Sequence, residues 1–151
     1  MFDTNIFNKI VEGTISLTAV RDISSRVKLF VTHIQRYELN ATKNEERRKG
    51  LLKVFEVINQ VQVPTESALW DVSNWDSSKW DKQAIDTILE LLEKEKPHNR
   101  GNKRDALIGL TAIKTGITLV SNDEALRDSV NELGGIAIDL LDFLKETESK
   151  T

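Results

Sequence analysis

The chain has 151 residues, room for one domain with a proper core and not for two. Charged residues make up 30% and apolar residues 39%, and the absence of cysteine excludes a disulfide framework and a thiolate zinc site. A formal net charge of −3 excludes a nucleic-acid footprint by bulk charge, while leaving room for local basic patches.

The first residues, Met1 to Gly13, place an acid at position 3 and lack the basic start and long apolar run of a signal peptide. No stretch approaches bilayer length, so the expectation is a cytoplasmic protein without a membrane contact. Met1 and Phe2 end a short strand, and Thr4 to Glu12 form a first helix. Lys28 to Thr32 is β-branched and apolar, a strand. From Gln35 to about Asn59 the spacing of Leu39, Leu51, Leu52, Phe55 and Ile58 is helical, with a break near Asn44. The stretch from Val63 to Lys82 is rich in Ser, Asp and Asn around Trp70, Trp75 and Trp80, and it is too short and too apolar for a disordered linker. Ala84, Ile85, Ile88, Leu91 and Leu92 mark another amphipathic helix.

The last third has the clearest pattern. Asp105 to Thr115 is an almost wholly apolar helix stopped by Gly116. Ile117 to Val120 is a buried strand, and Asp123 to Leu133 a helix closed by Gly134 and Gly135. Gly135 to Ile138 is a last short strand before a helix over Leu140 to Lys145. Such alternation argues for an α/β fold with a mostly parallel sheet and helices on its faces. In these sheets ligands sit beyond the carboxyl ends of the strands.

That rule locates the acids. Asp3 follows the first apolar pair, Glu38 lies shortly after the second strand, and Asp123 sits just past the Ile117–Val120 strand. From Asp105 the helix climbs about 16 Å, and the strand after Gly116 runs back about as far. All four carboxylates therefore reach one edge of the sheet. Two carboxylates ~5 Å apart repel by roughly 3 kcal/mol at an effective dielectric near 20. A cluster of four then calls for a cation or for raised pKa values. Hard oxygen ligands favour Mg²⁺ or Mn²⁺ over zinc, and phosphodiester hydrolysis is the natural chemistry of such a site.

At these residues the chain resembles the PIN-domain nucleases, particularly the small VapC-type toxins of toxin–antitoxin pairs. Asp3-Thr4-Asn5 matches the family's Asp followed by Thr or Ser and Asn. Glu38-Leu39 matches its Glu-Leu early in a helix, and Asp105-Ala106-Leu107-Ile108 its Asp opening an Ala-rich apolar helix. Ser121-Asn122-Asp123 matches its Ser or Thr two residues before an acid at the end of a strand. Each motif alone is weak, but the set runs in the family's order over essentially the whole chain.

The resemblance implies one PIN-like domain over residues 1–151, a three-layer α/β/α fold, and a metal-dependent endoribonuclease. It assigns Asp3 and Asp105 as metal ligands, and Asp123 as a ligand directly or through water. Glu38 would position or deprotonate the water, with Thr4, Asn5, Ser121 and Asn122 in support. It also implies an RNA substrate and an antitoxin protein partner, and amphipathic helices between Glu45 and Glu95 offer a surface for a homodimer or for the antitoxin. One departure stands out: only Met1 and Phe2 precede Asp3, where members carry a longer strand. A free α-amino group there would oppose metal binding, so either the strand is short and its terminus bends away or the true chain starts further upstream.

Other readings compete at single residues. Asp105 and Asp123 each precede a helix, where Asp is a common cap. Arg100, Lys103 and Arg104 run into Asp105 and are candidate phosphate contacts, or a basic loop that balances the acids. Arg47, Arg48 and Lys49 read as a solvated helix face, His33 and His98 as incidental. The tryptophans read as filling beneath a loop or as an interface, with base stacking the alternative. At the level of function the alternatives are a catalytically inactive RNA- or protein-binding PIN-like domain and a phospho-acceptor signalling domain. The latter needs paired acids after the first strand, an acceptor Asp after a middle strand and a Lys near the end, and this chain has a lone Asp3 and no such Lys after the Ile117–Val120 strand.

Overall fold

A computed structural model describes residues 1–58, 60–65 and 82–148; the three tryptophans lie outside them. Among the described residues the chain folds into eight helices and four short strands. Helix α1 spans Thr4–Val11 and α2 spans Leu17–Ser24, the latter capped by the Ser16 hydroxyl. Strand β1 is Leu29–Val31. Thr32 and Gln35 then build a reciprocal capping box that starts α3 (His33–Asn40). Asn44 caps α4 (Glu45–Val57), so the expected break near Asn44 is a full interruption between two helices. Strand β2 (Gln60–Gln62) follows, then α5 (Lys82–Glu95) and α6 (Asn102–Thr115). The chain ends with β3 (Leu119–Val120), α7 (Glu124–Glu132), β4 (Ala137–Ile138) and α8 (Leu140–Glu148).

The sheet is held together by the first residues of the chain. Strands β1 and β2 pair in parallel, as do β3 and β4. Phe2 forms a parallel bridge with Val120 on one side and donates its N–H to the Phe30 carbonyl on the other. The strand order is therefore β2, β1, the Met1–Asp3 segment, β3 and β4. The Met1 amine donates to the Thr118 carbonyl, at the end of this segment opposite the Asp3 carboxylate. Burial pushes that amine down to about 5, so it carries little charge near neutrality. The terminus thus points away from the acids.

Alternate residues of the central segments feed two apolar clusters, as side chains on successive strand positions must. Met1 and Leu119 join Ile85, Ile88, Leu92, Leu107, Ile108, Leu126 and Val130 from α5, α6 and α7. Phe2 and Val120 join Ile6, Phe7, Ile10, Leu39, Leu51 and Val54 from α1, α3 and α4. Phe2 meets Phe7 and Phe143 edge to face, with centroids 6.3 and 5.4 Å apart. Ala106 to Ala112 of α6 are buried without a break, which explains the almost unbroken apolar run there. None of the described helices is long and apolar enough to cross a membrane.

Two glycines give a contrasting test of this packing. A Cβ on Gly135 would lie 2.7 Å from Val130 Cγ1 and 2.8 Å from Ile113 Cγ1, both on stiff β-branched side chains. Gly135→Ala is expected to cost about 1–3 kcal/mol. A Cβ on Gly50, inside α4, meets only Val11 Cγ1 at 3.7 Å. Gly50→Ala should stabilise by about 0.5–1 kcal/mol through helix propensity. Urea unfolding of both variants checks the pair, and equal effects would show that α7 and β4 do not pack as described.

Candidate active site

The Met1–Asp3 segment ends with Asp3 beside the carboxyl end of β3, where the Asp3 N–H donates to the Val120 carbonyl at 3.0 Å. The Asp3 side chain is almost fully enclosed. Its Oδ1 accepts from the Thr4 N–H at 2.6 Å, and its Oδ2 from Asn5 Nδ2 at 2.6 Å and the Ser121 hydroxyl at 2.7 Å. Burial pushes this carboxyl up to about 7; Asp105 and Glu38 push the same way, and the Ser121 and Thr4 donors offset only part.

Glu38 sits in the second turn of α3 and receives the Thr4 hydroxyl on Oε2. Arg104 approaches Oε1 at 3.5 Å while its guanidinium lies 5.6 Å from the centre of the Tyr37 ring. Burial, then the Asp105 charge, holds Glu38 above the usual carboxylate range, against the pull of Thr4 and Arg104.

Asp105 and Asp123 share one cation. Lys96 Nζ stands 2.8 Å from Asp105 Oδ2 and 2.6 Å from Asp123 Oδ2. Burial raises the Asp105 carboxyl, with the Asp123 charge adding to it and Lys96 opposing. Burial works against the Lys96 charge, but its bonds to the two acids outweigh this and hold the amine above its ordinary range. The capping readings divide between the acids. Asp123 does cap α7, its Oδ1 accepting from the Leu126 N–H at 3.1 Å, which leaves Oδ2 for Lys96. Asp105 caps nothing. Helix α6 begins one turn earlier than expected, at Asn102, with Gly101 as a cap that has no side chain to offer.

Supporting contacts tie the four motifs together. Ser121 Oγ also accepts from Asn5 Nδ2 at 3.0 Å and from the Asp123 N–H at 3.1 Å. The Asn122 N–H donates to Asn5 Oδ1 at 3.2 Å, while the Asn122 side chain accepts from the Leu140 N–H and so anchors α8. Of the basic loop, Arg104 faces Glu38, whereas Arg100 and Lys103 are exposed. On α4, Arg47 pairs with Glu12 at 2.7 Å and Lys49 with Glu45 at 2.7 Å, consistent with a solvated face. Lys96 is the participant that sequence reasoning missed. A lysine just beyond a helix C-terminus reads as a complement to the helix dipole, and nothing in its spacing points to Asp105.

Among the described residues, no group of three or more His, Asp or Glu side chains is arranged to hold a metal ion. The carboxylate oxygens are instead committed to Ser121, Asn5, Thr4, Arg104 and Lys96. The donor set nevertheless fits a hard divalent cation: it is all oxygen, three of its acids are raised, and an ammonium already bridges two of them.

The PIN domain family model matches residues 1–130. PIN domains are generally nucleases and typically use divalent metals. No curated protein matches the chain. A match over most of the chain, on a helix-rich α/β fold with short parallel strands, shows that this chain belongs to the PIN domain family.

Proposed function

We propose that this chain is a divalent-metal-dependent endoribonuclease that hydrolyses RNA phosphodiester bonds. The observation that carries the reading is the meeting of Asp3, Glu38, Asp105 and Asp123 at one edge of the sheet, three of them with raised carboxyls. The two clusters on opposite faces of the strands support a three-layer α/β/α arrangement around that edge.

Asp3, Asp105 and Asp123 would hold Mg²⁺ or Mn²⁺. When bound, such an ion lowers the pKa of water and offsets charge on the phosphate. The remaining work falls to the chain. Ser121 and Asn5 hold Asp3 Oδ2 in place, and Ser121 fixes the Asp123 backbone from the same oxygen. Glu38, which burial holds above the usual carboxylate range, accepts the proton of the attacking water. Arg104 lies against Glu38, while Arg100 and Lys103 present exposed charge to the flanking phosphates.

RNA as the substrate, and a role as the toxin half of a pair, rest on the likeness of the four motifs to VapC-type toxins. In this reading the protein acts in the cytoplasm as a homodimer and is restrained by an antitoxin protein. The test is cleavage of RNA by purified protein. Activity should need Mg²⁺ or Mn²⁺ and stop with EDTA, and induced expression should arrest growth in a way that co-expression of an antitoxin-like protein relieves. RNA bound but left intact in manganese would turn the assignment to an inactive binding domain.

A further inference from the structure

Lys96 stands where a cation shared by Asp105 and Asp123 would have to act. Its Nζ lies 2.8 and 2.6 Å from one oxygen of each. The other Asp123 oxygen is spent on capping α7. A divalent ion drawing on the remaining Oδ2 of Asp123 therefore meets the ammonium at the same atom, and both positive charges cannot remain there.

The backbone at Lys96 is fixed. Asn102 Nδ2 donates to the Lys96 carbonyl at 2.9 Å and to Glu93 Oε1 at 2.7 Å. Asn102 is itself buried, so the end of α5 is pinned to the start of α6. The lysine stem, by contrast, is a flexible four-carbon chain ending in a point charge. The ammonium can therefore withdraw without moving either helix. Arg104 does not replace it, because its partner is Glu38.

From this geometry we propose that Lys96 is a built-in occupant of the metal site. It neutralises the Asp105–Asp123 pair in the metal-free protein and competes directly with the divalent ion. Lys96 thereby sets the ion concentration at which the site loads. The inference rests on the nuclease reading, since it takes these acids to be ligands.

The test is a calorimetric titration with Mn²⁺ alone on wild type, Lys96→Met, Lys96→Gln and Lys96→Arg. Removing a charge-assisted bond to two ligand oxygens should tighten Mn²⁺ binding by roughly ten- to a hundredfold in the Met and Gln variants. Lys96→Arg keeps the charge and should stay near wild type. The Met and Gln variants should also melt below wild type in EDTA and gain more in melting temperature when Mn²⁺ is added. Glutamine keeps a donor, so it covers the case in which methionine prevents folding. Unchanged or weaker binding in both neutral variants, with wild type still binding, overturns the role of Lys96 and leaves the nuclease reading standing. No Mn²⁺ binding by any form overturns both.

Discussion

Asp105→Asn is expected to lower RNA cleavage at least about 10²-fold, the scale of losing one preorganised electrostatic group, with the fold intact. Asp105 is the acid that touches each of the others electrostatically. Its charge raises Asp3 and Glu38, Asp123 acts on it, and Lys96 bonds to it. Asparagine keeps the shape and one carbonyl oxygen but removes the charge on which an ion depends. Helix α6 should not suffer, because Asp105 does not cap it and the buried run from Ala106 to Ala112 fixes its position. Asp142→Asn is the matched control: Asp142 is an exposed acid on α8 paired with Lys145 at 2.8 Å, and its loss should leave cleavage unchanged. The comparison needs turnover rates at saturating Mg²⁺ together with far-ultraviolet circular dichroism. Full activity in Asp105→Asn would remove Asp105 from the catalytic assignment, and with it the ion site it would share with Asp123 through the position Lys96 holds.

The acidic edge was legible because it follows from lengths alone. A helix and a strand of matched rise return the chain from Asp105 to Asp123, with Gly116 as the stop between them; that glycine ends α6 in the left-handed conformation, at φ +67°. The start of α6 was not legible. Asn102, Lys103 and Arg104 are polar, and a glycine cap leaves no side-chain signal, so the apolar run alone suggested Asp105. Helix α2 was missed because only Val20 and Ile23 are buried in it, too few to set a period. Strand β2 was missed because Gln60-Val61-Gln62 is held by backbone pairing with β1, and two of its three side chains are exposed. Lys96 was hidden for another reason: its partners lie 9 and 27 positions away, one brought to it by the α5–α6 turn and the other by the return through β3.

In EDTA, Asp3→Asn should gain stability over wild type as pH rises, by about 2–3 kcal/mol between pH 5 and pH 8 at 1.36 kcal/mol per pKa unit. Asp3 has an ordinary value of 3.8 and is raised to about 7 in the folded chain. The folded state therefore holds a proton that the unfolded state has released, and stability falls as pH climbs through this window. The contribution is complete below 3.8 and lost above about 7, a total on the order of 4 kcal/mol. Asparagine does not titrate, so the variant lacks this slope. Its own cost is a mismatch with Asn5 Nδ2 and the Ser121 hydroxyl, which both donate to Asp3 Oδ2; an unsatisfied buried group costs about 1–3 kcal/mol. The variant should thus lie about 1–3 kcal/mol below wild type at pH 5 and draw level with it, or pass it by up to about 2 kcal/mol, at pH 8. Divalent ion should put wild type ahead at pH 8, since at 100 times its dissociation constant it adds about 2.7 kcal/mol to the form that binds it. Urea titrations at both pH values, with and without Mg²⁺, measure all four differences. Parallel stability curves for the two proteins across this range would mean that Asp3 ionises freely in the folded chain, and that the acids do not press on one another as their placement requires.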